Sequence, residues 1–352
     1  MYTLPFLAKH RRAPYRFYCL VVCLLSLMMI TYVFPEELDI IRYYENTKYA
    51  VREYSHLLDY SLYLTSTQID FIYGSSLYLA EKIGLHLNFV TIFYLSLYYI
   101  AIFEILRKNF PYLKIPIYVF LYVTLFAPFI WVQSISRNLA AIAFFYLAIN
   151  NILDGKFIKS LLWMLVSMFT HISMLMYFPV VLVALFIKGR NISNNFIYLS
   201  VIAALAFSYI VPSQLLGIIS IIMDNDETRY GAEYGNMEAQ GAILTDTIGY
   251  GDKFPIVVCL GFAVLLLFLN KRKDFMYWML YCLTIMLSFF VLSSLMFTNR
   301  VIMLMPLFIA YNAYKVFSDG TLRGRKVLSV ASLIGCIAVF LHFYAYRTHF
   351  SL

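Results

Sequence analysis

Long apolar runs alternate along this chain with short polar interruptions, most of them basic, and that alternation predicts its architecture. A helix crosses a hydrocarbon core in about 20 residues, whereas a barrel strand needs about ten of alternating polarity. The runs here do not alternate, so they predict an all-α, polytopic bundle of transmembrane helices. The first span covers about 17–34, and a polar segment follows at about 35–70. Residues 71–87 read as an amphipathic lead-in and 88–106 as a returning span. Residues 115–153 are too long for one crossing and are interrupted at Trp131–Asn138, which splits them into an outward and an inward helix.

Residues 158–187 carry Lys156 and Lys159 at one end and Lys188 and Arg190 at the other. Both ends therefore favour the same membrane face, which predicts a hairpin turning near Thr170-His171. Its arms are short and need local thinning or burial among neighbours. Further spans are expected at 195–212, 254–270, 275–297, 301–317 and 327–345, giving about eleven, with a second large polar loop at about 213–252. The whole chain, 1–352, reads as a single integral membrane domain. Tyr32-Val33-Phe34-Pro35 offers no small-residue cleavage site, so the first apolar run is expected to be retained.

Charge orients this bundle. The segments expected to be cytoplasmic hold 18 of the 27 Lys+Arg and only 4 of the 19 Asp+Glu, as the positive-inside rule requires. The N-terminus is then cytoplasmic, the C-terminus extracytoplasmic, and the exterior face is where carboxylates meet a few isolated arginines. The same distribution explains the net charge of +8 without a nucleic-acid partner. Composition agrees: 62% hydrophobic and 13% charged residues are far from the roughly 45–50% and 25% of soluble domains. The five cysteines lie inside apolar runs without metal-ligand spacing, so no metal site or disulfide framework is expected.

Three polar breaks share one pattern at the exterior ends of spans. Ser134-Ile135-Ser136-Arg137-Asn138, Thr170-His171-Ile172-Ser173 and Thr298-Asn299-Arg300 each read as a capped helix start beside a cationic or protonatable side chain. Helix N-termini favour anions, and guanidinium pairs with phosphate oxygens in a bidentate way. Arg137 and Arg300 are thus candidates to clamp a phosphate or diphosphate. Taken singly, each has the alternative reading of an arginine that snorkels to the interface, and His171 that of a structural bond to a backbone carbonyl.

The exterior loops add Glu36, Glu37, Asp39, Glu45, Asp59 and Asp70, from which a base for a sugar hydroxyl could come. Tyr43 and Tyr44 are candidates to stack on sugars. In the second loop, Arg229 and Tyr230 read as a ligand-contacting pair. Nucleotide-binding, metalloprotease and serine-hydrolase motifs are absent from the sequence. Transfer chemistry would need a donor already activated and membrane-bound, and no cofactor is expected.

Several stretches resemble the EpsG/Wzy family of bacterial polysaccharide polymerases. Asp39-Ile40-Ile41-Arg42-Tyr43-Tyr44 is similar to the family's D-x-x-x-Y segment, and Asp70-Phe71-Ile72-Tyr73-Gly74 to the acid-then-aromatic start of its second span. Ser136-Arg137-Asn138-Leu139-Ala140-Ala141 is similar to its R-x-x-[LIM]-A signature, Thr170-His171-Ile172-Ser173 to its H-x-[ST] signature, and Asn299-Arg300 to its late arginine. Asp70 stands where glutamate is common and Asn138 where glutamine is common.

The resemblance implies an O-antigen or related surface-glycan polymerase of the bacterial plasma (inner) membrane. Such an enzyme moves a growing glycan from one undecaprenyl diphosphate carrier onto a repeat unit held by another, and works with a chain-length regulator (Wzz-type). It also implies that Arg137, Arg300 and Arg229 stabilise the leaving diphosphate, while His171 or an acid such as Asp39 handles the acceptor hydroxyl. Two other readings stay open. One is a glycosyltransferase using a polyprenyl-monophosphate sugar, with Asp39 or Glu37 as base. The other is a non-enzymatic flippase for lipid-linked oligosaccharides.

Overall fold

The computed structural model describes residues 39–67, 71–110, 136–210, 250–291 and 295–349, with the isolated positions 116 and 119. Every regular element among them is helical. They divide into two compact units, one containing the described residues within 3–112 and 129–178 and the other those within 113–128 and 179–352.

In the unit formed by 3–112 and 129–178, a short helical corner precedes a bundle. Helix α1 (Asp39–Glu53) buries Thr47 and Ala50 and exposes Glu45, Lys48, Tyr49, Arg52 and Glu53, a one-sided pattern at helical spacing. Helix α2 (Leu57–Thr67) and helix α3 (Phe71–Lys82) pack together, and α1 packs on α3. Gly74 makes the α2–α3 approach possible: a Cβ there would lie 2.5 Å from Cδ1 of Leu64. Helix α3 ends where Gly84 takes a φ of 71°, with Leu85 N–H bonded back to the Ala80 carbonyl, a Schellman closure.

Helix α4 (Asn88–Asn109) is 22 residues long, about 33 Å at 1.5 Å per residue. It is, among the described residues, the one helix long and apolar enough to cross a membrane. Arg107 and Lys108 sit in its last turn, where cations suit the helix dipole. Its inner face buries Tyr94, Tyr98, Tyr99 and Ile102, while Phe89, Phe93 and Ile100 are exposed.

Helix α5 (Ser136–Leu153) is the centre of this unit. Ala140, Ala141, Ala143 and Ala148 are fully buried, and small side chains let α4 and helix α6 (Phe157–Thr170) pack against it. Gly155, with φ 73°, reverses the chain between α5 and α6, and Lys156 N–H returns to the Asn151 carbonyl at 2.8 Å. A 3₁₀ turn (Ile172–Met176) follows, and helix α7 (Tyr177–Ile187) passes from Pro179 onward into the other unit.

The other unit is built around two helices buried almost all round. These are α10 (Phe275–Phe290) and α12 (Pro306–Asp319), flanked by α8 (Asn194–Ile210), α9 (Tyr250–Leu269), α11 (Leu295–Leu304) and α13 (Leu322–His349). Asp274 caps α10 by accepting from Tyr277 N–H at 3.0 Å. Asp274 also pairs with Lys315 of α12, whose ammonium donates to the Arg272 carbonyl as well. One turn away, Asn270 and Asn312 bond side chain to side chain at 3.2 Å, and Asn312 donates to the Met276 and Phe308 carbonyls. Polar groups thus tie α9, α10 and α12 together at one end.

Exposed apolar residues run in helical stripes on several elements: Leu161, Leu162, Leu165 and Phe169 on α6; Phe196, Leu199 and Ile202 on α8; Val330, Leu333, Ile334 and Ile337 on α13. Water would not tolerate so much contiguous apolar surface, whereas lipid covers it without cost.

Candidate active site

Helices α5 and α6 run antiparallel across a tight turn, so the start of α5 and the end of α6 lie at the same level. Their register is fixed by Ser167, whose hydroxyl donates to the Ala141 carbonyl at 2.6 Å. Stepping four residues along each helix in the same direction reaches Arg137 and His171. The backbone of Arg137, in the first turn of α5, is therefore level with His171 at the end of α6.

His171 is 2% exposed and leaves the helix in an extended conformation, with φ −160° and ψ 121°. Its N–H bonds the Ser167 carbonyl and its carbonyl accepts from Met174 N–H, both at 3.0 Å. Thr170 does not cap a following helix as the sequence suggests: its hydroxyl turns back to the Val166 carbonyl at 2.7 Å. The break is made by the backbone, between the last turn of α6 and the 3₁₀ turn.

Two buried polar atoms at this level have no hydrogen-bond partner among the described residues. One is Oδ1 of Asn138, whose residue is 4% exposed, and the other is Oγ of Ser173. Buried polar atoms are nearly always paired, and these two leave hydrogen-bonding capacity at this level, as do others elsewhere among the described residues, Tyr99 and Trp278 included. Position 138 is the sequence-predicted neighbour of Arg137.

The opposite end of this bundle is strongly charged. Lys108 of α4 donates to Asp154 at 3.0 Å and to Asn150 at 3.2 Å, Lys156 pairs with Asp154 at 3.1 Å, and Arg107 clasps Glu104 through two nitrogens. The lysine ammoniums, Lys108 first and then Lys156, hold the Asp154 carboxyl below its usual range. The charged cluster and the Arg137–His171 level are separated by the full length of α5.

The remaining sequence-predicted residues are spread more widely. Asp39 and Tyr43 lie in the first two turns of α1. Tyr44 is turned inward: its phenol shares a 2.9 Å hydrogen bond with Thr91, and burial pushes its pKa up to about 12. Such a ring braces α1 on α4 and offers little face to a sugar. Arg300 belongs to the other unit. It stands mid-way along α11, because that helix begins at Leu295 and not at Thr298, and Thr298 is buried with its hydroxyl on the Phe290 carbonyl at 2.8 Å. Asp70, Arg229 and Tyr230 lie outside the described residues.

A family model for EpsG matches residues 16–351, nearly the entire chain. The chain belongs to the EpsG family. Membership ties it to membrane-bound polysaccharide synthesis and suggests a polymerase-like role. The shared region takes in α1, the α5–α6 pair and Arg300 together, so the family's extent coincides with every candidate residue above. No curated protein and no solved structure matches the chain significantly.

Proposed function

We propose that this EpsG-family chain polymerises a surface polysaccharide outside the plasma membrane. It would transfer the growing glycan from one undecaprenyl diphosphate carrier to the terminal sugar of a repeat unit on another. The observation that supports the reading is the α5–α6 register, which brings the backbones of Arg137 and His171 to one level at one end of a bundle whose other end gathers Lys108, Asp154 and Lys156. By the positive-inside rule the lysine-rich end is cytoplasmic, which puts the Arg137–His171 end on the exterior. The full topology is then about eleven spans in one membrane domain, with the N-terminus inside and the C-terminus outside.

In the reaction the bond between the anomeric carbon and the diphosphate oxygen breaks, and one from that carbon to an acceptor hydroxyl oxygen forms. Charge grows on the departing diphosphate. Arg137 and the first N–H groups of α5 stabilise it; Arg300 and Arg229 are further candidate cations on the family resemblance alone. The acceptor proton leaves to a base; His171, or a carboxylate such as Asp39, takes that part. Asn138 orients the substrate with its unspent acceptor, and Asp70, Tyr43 and Tyr230 are the proposed contacts to the glycan, whereas Tyr44 braces α1. A chain-length regulator is the expected protein partner.

The direct test is Arg137→Ala in the native host. Long-chain glycan should fall about 10²–10³-fold, the usual effect of losing one preorganised donor, while the protein still reaches the membrane. Normal chain-length ladders from that variant would remove Arg137 from the mechanism.

A further inference from the structure

The corner between α1 and α2 carries an aromatic stack that the reaction does not use. Tyr54 stacks on Tyr63 with ring centroids 5.4 Å apart and planes 29° apart, and Tyr60 stacks on Tyr78 at 5.0 Å and 26°. Tyr60 also meets Tyr54 at 5.7 Å and Tyr63 at 6.5 Å, so the four rings are continuous. The inner pair is locked. Tyr60 and Tyr78 are buried, and the Tyr78 hydroxyl donates to the Tyr54 carbonyl at 2.7 Å. The outer rings reach the surface: Tyr63 is 45% exposed and Tyr49, on α1, is 66% exposed.

The surroundings say what such a platform would hold. On α2 the outward surface is divided by helical spacing. Leu58 and Leu62 form one stripe, while Asp59 and Tyr63 form another, four residues apart and next to His56. Only the first stripe suits lipid. Around the tyrosine stripe stand Arg52, Glu53, His56 and Asp59, all exposed, and Lys82, which donates to the Ser55 carbonyl. Flat, rigid rings bordered by hydrogen-bonding groups of both signs match the alternating apolar faces and hydroxyl edges of sugar rings. A lipid tail would leave that polar border unsatisfied, and a nucleic acid would be repelled by Glu53 and Asp59.

We propose that the Tyr49, Tyr54 and Tyr63 surface is an oligosaccharide-binding platform that holds the glycan of the lipid-linked substrate away from the reacting bond. Tyr63 and Tyr49 present ring faces to successive sugars, Glu53, His56 and Asp59 bond their hydroxyls, and Tyr60 and Tyr78 keep the stack rigid so that little ordering is lost on binding. The proposal rests on the polymerase reading for the identity of its ligand.

The test uses the purified full-length protein in detergent. The probe is the host's own surface polysaccharide, cleaved from its lipid and hydrolysed to fragments of one to three repeat units. Binding is read by saturation-transfer difference NMR, with phosphatidylglycerol vesicles as a second probe. Wild type should bind the fragments; Tyr49→Ala with Tyr63→Ala should weaken binding about tenfold, the loss of two aromatic contacts. Tyr63→Phe should retain binding and Tyr63→Leu should not, since both keep bulk but only one keeps a flat face. In cells the double variant should shorten the glycan without abolishing it. Unchanged fragment binding in the double variant, or vesicle binding in place of fragment binding, overturns the platform. If the platform fails while Arg137→Ala still abolishes polymer, the polymerase reading stands. If wild type binds no fragment and Arg137→Ala changes nothing, both readings fall.

Discussion

A guanidinium that steadies a departing diphosphate acts mainly in the transition state, so its loss should lower turnover more than substrate binding. That expectation separates Arg137 from Asn138. Asn138→Ala removes a buried acceptor that has no partner among the described residues, so the fold should tolerate it, whereas affinity for lipid-linked substrate should drop about tenfold. A thermal-shift measurement beside a substrate titration checks both halves. Tyr44 makes the opposite prediction. Its hydroxyl is engaged with Thr91, so Tyr44→Phe should cost about 1 kcal/mol of stability and leave polymer length alone.

Residue identity was the part of the site most legible in sequence. Arg137 and His171 stand out because they interrupt apolar runs, and the antiparallel α5–α6 register brings their backbones level. Tyr44 was legible as an aromatic beside an exterior carboxylate cluster but not as an inward-facing one, because its partner Thr91 is 47 residues away. The tyrosine stack is not legible in the sequence for a similar reason. Tyr54, Tyr60, Tyr63 and Tyr78 come from three neighbouring segments, and only the α1–α2–α3 corner assembles them.

Among the elements, α4 and the break at His171 follow directly from hydropathy: the expected span 88–106 becomes Asn88–Asn109, and the expected turn near Thr170-His171 is an extended residue between α6 and a 3₁₀ turn. The start of α11 does not follow. Thr298 resembles a cap in sequence, yet its hydroxyl is taken by the Phe290 carbonyl and the helix begins three residues earlier. Pro306 instead supplies the break, at the first position of α12.

Helix packing gives a further test. Gly74→Ala would set a Cβ 2.5 Å from the end of the Leu64 side chain, so α2 must shift or Leu64 must change rotamer. About 1 kcal/mol of destabilisation is expected, with fragment binding at the tyrosine platform weakened although no tyrosine is altered. At the α4–α5 end, Asp154 has a lowered pKa, so its link to Lys108 is complete above the ordinary carboxylate value and is lost as pH falls through the folded value. Thermal stability should therefore show no contribution from Asp154→Asn in strong acid and a loss at neutral pH.

For the whole molecule, the orientation of the α1–α6 unit follows from its charge. In a cysteine-free background, Lys156→Cys should react with membrane-impermeant maleimide only after the cytoplasm is opened, and Glu53→Cys should react in intact spheroplasts. Both positions are exposed, so accessibility differs only through the membrane. Labelling of both from one side would place the Arg137–His171 level and the lysine cluster on the wrong faces for an exterior reaction.

The reaction itself is tested most directly by reconstitution. Purified wild-type protein in lipid nanodiscs, given the undecaprenyl-diphosphate-linked repeat unit and no nucleotide, should convert it to a ladder of longer lipid-linked glycans resolved by mass spectrometry, and Arg137→Ala should leave the single unit unchanged. An active, correctly inserted wild-type protein that produces no species longer than one repeat unit, or an Arg137→Ala protein that makes the same ladder, would contradict the account.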